Sequence, residues 1–262
     1  MIIVGEKLNS SIPRMQELMR EKNTEAIKQI AIDQQNAGAN FLDINTAIFR
    51  EDELEILKYV LDIVIQNTEC GIMLDSPSPA VIEEAIKLIS NREVIINSVT
   101  LQDRINELLP IAKAYNSGVV CLPIDKDGIP KTAEKRVDNS LKLIKILEQA
   151  GIKKDKIYID VLAETLAVES ESAVTTINTV AELRKVESEV HIICGVSNVS
   201  FGLPKRASIN AAFLTTAIFA GLDSGIVDIT NEQIQSTIYI GELVAGKDEY
   251  CMEYLGYIRS KR

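Results

Sequence analysis

Ser197-Asn198-Val199-Ser200 follows a short apolar run, Ile192-Ile193-Cys194, and a single glycine, Gly195. A run of that kind fills a buried parallel strand, and a glycine lets the backbone leave it at close quarters. The exit then carries uncharged donors and acceptors. Asn198 has the widest chemical range among them. A neutral amide can offer its NH2 or its oxygen to a ring nitrogen, so it serves a site whose nitrogen changes protonation. The same four residues also fit a polar turn that caps a strand.

Acids and amides recur in the same setting along the chain. Glu6 and Asn9, Asp43 and Asn45, Asp75 and Ser76, Asn97 and Ser98, Asp125, Asp160 and Asp228 each stand just after apolar residues. One such residue commonly caps the following helix; repetition around a ring asks for more. A metal centre is one reading, weakened by the alternation of amides with acids and by the lack of a contributing histidine, so no metal site is expected. A flat, nitrogen-rich heterocycle is the other. A carboxylate takes two parallel N–H bonds from an aminopyrimidinone edge much as it takes an arginine fork, and amides satisfy the remaining ring groups.

The elements that must position these residues alternate regularly. Strands are predicted at 1–6, 40–45, 71–75, 94–99, 118–124, 157–161, 192–197 and 224–229. Helices are predicted at 14–36, 52–66, 101–116, 134–150, 172–186, 209–220 and 232–244, with another opening at Pro79, before a charged tail. Eight strand-then-helix units in 262 residues, without a low-complexity linker, predict an α/β fold: one (β/α)8 barrel domain over 1–262, with its site at the carboxyl ends of the strands. An open doubly wound sheet competes less well, because no G-x-G-x-x-G follows the first strand.

Composition narrows the chemistry. Apolar residues make up 46%, enough for a sizeable core, and no uninterrupted apolar run suits a membrane span. The amino terminus lacks the order of a signal peptide, so a cytoplasmic protein is expected. The net charge of -10, with no basic stripe, argues against nucleic-acid binding. The four cysteines are scattered without a C-x-x-C pair, and the one histidine, His191, opens a strand, which makes Ser-His and Cys-His machinery improbable.

Several segments together resemble the pterin-binding methyltransferase family, which includes the methyltetrahydrofolate:corrinoid/iron–sulfur protein methyltransferases and the folate module of cobalamin-dependent methionine synthase. They are GEKLN at 5–9, NFLDIN at 40–45, MLDS at 73–76, IINS at 95–98 and GVSNVS at 195–200, joined by DGIP at 127–130 and GLDSGIVD at 221–228. The resemblance implies that Asp75, Asn97 and Asp160 hold the pterin and that Asn198 sits beside its N5. Catalytic roles fall to Asn198, Asp75 and Asp160. Gly195, Ser197 and Arg206 line the rest of the pocket or its p-aminobenzoyl end. The implied substrates are tetrahydrofolate or 5-methyltetrahydrofolate and a cobalamin brought by a separate corrinoid protein, in one-carbon assimilation or a demethylation system. The corrinoid would approach rim loops such as 125–131 and 201–207. A homodimer is also implied by the family; Phe213, Leu214 and Phe219 read as core.

Two departures matter. Thr46-Ala47-Ile48 stands where the family usually has a glycine-containing turn. The Ser-Arg-Lys signature of dihydropteroate synthases is replaced by Ser197-Asn198-Val199. The alternatives are another pterin or folate enzyme, such as a dihydropteroate synthase-like condensing enzyme, and a folate-binding subunit without turnover.

Overall fold

The computed structural model describes residues 1–261. Eight parallel strands form one sheet in the order β7-β6-β5-β4-β3-β2-β1-β8. They are β1 (Ile2–Asn9), β2 (Phe41–Asn45), β3 (Gly71–Asp75), β4 (Val94–Thr100), β5 (Gly118–Leu122), β6 (Ile157–Asp160), β7 (His191–Ile193) and β8 (Ser224–Val227). The ends meet through a parallel bridge between Gly195 and Ile226, where the Ile226 N–H donates to the Cys194 carbonyl at 3.0 Å. The sheet is thus a nearly closed barrel, as the strand–helix alternation predicts.

Side chains alternate along each strand, and the inward set fills the barrel floor. Val4, Phe41, Met73, Ile95, Val120, Tyr158 and Ile193 form one apolar cluster inside it. Two glycines make room for its largest rings. A Cβ on Gly71 would run into the Phe41 ring, and one on Gly118 would lie 2.8 Å from Tyr158. A larger cluster lies between strands and helices, where Ile56, Leu57, Val60, Leu61 and Val64 of one helix join Leu42, Ile72 and Leu74.

The predicted helix at 14–36 is two helices, α1 (Pro13–Arg20) and α2 (Thr24–Asn36). Lys22 takes a left-handed φ of 50°, and Asn23 caps α2 by accepting the Ala26 N–H at 3.1 Å. The Asn-Thr-Glu start signal was present in the chain, but the continuous apolar period on either side masked it. β1 runs three residues beyond its predicted end. Its register to β2 shifts between Gly5 and Leu8, where the Lys7 N–H turns to the Gln34 side chain at 2.9 Å. β7 stops at Ile193, and the residues expected to continue it form a 3-10 turn, Val196–Ser200. The other helices are α3 (Glu53–Asn67), α4 (Pro79–Ile86), α5 (Ile105–Tyr115), α6 (Ala133–Gln149), α7 (Ser172–Val186), α8 (Arg206–Ala220), α9 (Glu232–Val244) and α10 (Met252–Ser260). The supposed charged tail therefore contains a helix. On α8, Phe213 and Leu214 are core but Phe219 is 69% exposed, contrary to the core reading. No helix among the described residues is long and apolar enough to cross a membrane.

Candidate active site

The inward alternation that fills the floor also builds the mouth. Two residues beyond Val4, Phe41, Met73, Ile95, Tyr158 and Ile193 stand Glu6, Asp43, Asp75, Asn97, Asp160 and Gly195, with Asp228 in the same relation to Ile226. All seven line one cavity of about 550 Å³. Polar groups therefore rest on an apolar plug, at the end of the strands from which the following loops depart.

Asp75, Asn97 and Asp160 line the cavity from β3, β4 and β6. Asp75 accepts a hydrogen bond from Asn45 at 2.8 Å, and the Asn45 oxygen accepts from Ser10 at 3.2 Å and from the Ala47 N–H at 3.1 Å. Burial raises the Asp75 carboxyl above its ordinary range, against the pull of Asn45 and of the Arg104 charge. The Asn97 amide touches the Met73 sulfur at 3.8 Å.

Asp160 is pushed up to about 6 by burial, opposed by a 2.8 Å hydrogen bond from the Leu162 N–H and by the charge of Arg136. Leu162 is held at a φ of 60°. The buried Arg136 of α6 donates to the carbonyls of Pro130, Val161 and Leu162 at 2.9, 2.8 and 2.7 Å, and to Glu164 at 3.0 Å. One guanidinium thus ties the loop after β5 to the loop that carries on from Asp160.

The 3-10 turn after β7 adds to the lining next to Asp160. A Cβ on Gly195 would lie 3.0 Å from the Asn198 nitrogen, so a side chain there would press on the amide. Asn198 itself is exposed at the cavity, and among the described residues its side-chain amide has no hydrogen-bond partner. Ser197 donates to Glu6 at 2.7 Å, joining β7 to β1 across the barrel seam. Arg206, at the start of α8, donates to the Ser197 carbonyl at 2.8 Å and to the Ser200 hydroxyl at 3.1 Å, with its guanidinium 5.9 Å from the Phe201 ring centre. Burial raises the Glu6 carboxyl, countered by the Ser197 hydroxyl.

The structure brings together every residue singled out from the sequence for the site: Asp75, Asn97, Asp160, Gly195, Ser197, Asn198 and Arg206. Asp125, included among the strand-end acids, stands outside the cavity wall. It accepts from Asn139 at 3.0 Å and pairs with Lys135 at 3.1 Å, and with the Asp127 N–H these hold it near 2. Ser76 is also turned away, donating to Glu53 at 2.6 Å. Sequence reasoning missed Asn210 and Asn231, which line the cavity from within α8 and from the start of α9. Asn231 carries a cap signal, since its side chain accepts from the Gln233 and Ile234 N–H groups. Asn210 sits mid-pattern in an apolar helix with no such signal.

A model described as pterin binding enzyme matches residues 6–228. The chain is 32% identical over 257 residues to a methylcorrinoid:tetrahydrofolate methyltransferase of Eubacterium limosum, covering 97% of this chain and 94% of that one. It is 31% identical over 240 residues to methionine synthase of Mycobacterium tuberculosis, covering 86% of this chain but 20% of that protein's length. Among solved structures it resembles dihydropteroate synthases with pteroic acid. The one from Coxiella burnetii has a TM-score of 0.67 at 20% identity, over 92% of this chain and 94% of that chain. The one from Clostridium difficile has a TM-score of 0.72 at 21% identity, over 93% and 96%. At that identity the likeness speaks for the fold.

Proposed function

The chain belongs to the pterin-binding enzyme family, and from that premise we propose that it moves a methyl group between N5 of tetrahydrofolate and the cobalt of a corrinoid carried by a separate protein. One observation carries the reading: acids and amides from separate strands converge on a single mouth, with the free Asn198 amide above them. A flat bicyclic ring offers N–H donors to Asp75 and Asp160 and both kinds of partner to Asn97.

The corrinoid cobalt supplies or accepts the methyl group. The remaining task is protonic and falls to this chain. A methyl leaves N5 readily only when that nitrogen is protonated or strongly hydrogen-bonded; in the reverse direction N5 must lose its proton. Asn198 serves both, donating to a nitrogen that is gaining electron density and accepting from one that carries a proton. Asp160, with a carboxyl near 6, can exchange a proton close to neutral pH. Asp75, Asn97 and Asp160 orient the ring; Gly195, Ser197 and Arg206 hold the turn that aims Asn198.

The corrinoid partner would approach the rim at the loops 125–131 and 201–207. Phe201 there is 67% exposed, which suits contact with a large flat partner group. The test is to mix the protein with methylcobalamin and tetrahydrofolate and follow the corrinoid spectrum. Protein-dependent loss of the methylcobalamin bands with formation of 5-methyltetrahydrofolate supports the reading; binding of folate with no turnover on free or protein-bound corrinoid counts against it.

A further inference from the structure

Asp43 is a buried acid of the cavity that the mechanism above does not use. It projects from β2 between Glu6 of β1 and Asp75 of β3, is 2% exposed, and lines the same cavity. Its neighbours are engaged: Glu6 accepts from Ser197, and Asp75 accepts from Asn45. The Oδ1 atom of Asp43 has no hydrogen-bond partner among the described residues. A buried polar atom without a partner costs on the order of 1–3 kcal/mol, so its place on a ligand cavity calls for an explanation.

The groups facing Asp43 decide its charge. Glu6 and Asp75 press on it from either side, and Asn9 of β1 offers a neutral amide. The nearby cations are directed elsewhere: Lys7 pairs with Asp228 at 2.6 Å, and Arg104 acts on Asp75. Three carboxyls crowded on neighbouring strands disfavour one another's ionised forms. Burial, Asp75 and Glu6 hold the Asp43 carboxyl well above the ordinary range, with only Asn9 opposing. In the neutral form Asp43 has an O–H to give.

We propose that Asp43 is a further binding residue, an un-ionised acid that donates its O–H to an acceptor on the edge of the bound tetrahydrofolate ring. This rests on the pterin reading of the site. The complementarity is simple. The ring carries acceptors, a carbonyl and ring nitrogens, as well as N–H donors. Asp75 and Asp160 of the same cavity take the donors, and a neutral acid on the strand next to Asp75 answers an acceptor.

The experiment is the dissociation constant of tetrahydrofolate, measured by calorimetry between pH 6 and 9 on the whole protein and on Asp43→Asn and Asp43→Leu, with thermal melts to verify folding. In the unaltered protein, affinity should fall on the alkaline side as Asp43 loses its proton. Asp43→Asn keeps a donor that cannot ionise. It should bind within about threefold of the unaltered protein at pH 6.5 and lose the alkaline fall. Asp43→Leu should bind at least tenfold more weakly. The proposal is overturned if the alkaline fall persists in Asp43→Asn, if that variant weakens as much as Asp43→Leu, or if neither substitution changes affinity. Should Asp43→Leu fail to fold, the asparagine variant decides alone. No binding by the unaltered protein would remove the pterin reading itself, and this proposal with it.

Discussion

Arg136 donates to the carbonyl of Leu162 at 2.7 Å, while the N–H of Leu162 caps Asp160 at 2.8 Å. Leu162 is thus gripped from both sides, and the buried guanidinium sets the backbone on which a site carboxylate depends. Arg136→Met takes the buried donor from several carbonyls and leaves Glu164 with Lys131 alone. A loss of about 3–5 kcal/mol of stability is expected by denaturant unfolding. The same change removes a cation that lowers Asp160. The acid limb of the methyl-transfer pH profile should therefore move to higher pH. Arg136→Lys should restore most of that limb. An unmoved limb in both variants would leave Arg136 a purely structural role.

Asp160 carries a stability cost that is open to measurement. Its carboxyl stands near 6 in the fold against an ordinary 3.8, so between about pH 4 and 6 the folded protein binds more protons than the unfolded chain. Stability should fall as pH rises through that window. Asp160→Asn should remove this slope, gain about 1–3 kcal/mol at pH 7 in urea unfolding, and slow methyl transfer. A variant that is less stable at pH 7, with the slope intact, would mean that the acid is well satisfied as an anion.

Asn198 should matter more to the rate than to binding. Removing one preorganised dipole that acts on developing charge typically costs about 2.7–4 kcal/mol, or roughly 10²–10³ in kcat. Asn198→Ala should show a loss of that order with little change in the KM for folate. A raised KM at unchanged kcat would assign Asn198 to ground-state binding alone.

Gly195 tests the aim of that amide without deleting it. A Cβ there would lie 3.0 Å from the Asn198 nitrogen, so the amide must yield by a few tenths of an ångström. Gly195→Ala should lower kcat by about tenfold while the melting temperature stays within a few degrees. Full activity in Gly195→Ala would show that the position of Asn198 is loosely required.

The barrel and its mouth were legible in the chain for a physical reason. The period of two places Asp75 above Met73 and Asn97 above Ile95, so an apolar run ending in an acid already states which side faces the cavity. What stayed hidden depended on contacts distant in sequence. Gln34 on α2 takes the Lys7 N–H and shifts β1, which no local pattern announces. Asp125 reads as another strand-end acid, yet Asn139 and Lys135 of α6 claim it. Arg136 reads locally as one more surface charge on a helix, yet it is 1% exposed because two loops fold their carbonyls onto it.

The claim beneath these expectations is positional: one cavity grips the ring edge and leaves N5 facing Asn198. The most direct measurement is a crystal structure of the protein with tetrahydrofolate. It should place the bicyclic ring against Asp75, Asn97 and Asp160, with N5 within hydrogen-bond reach of the Asn198 amide. A ring lodged away from these four side chains would contradict the account.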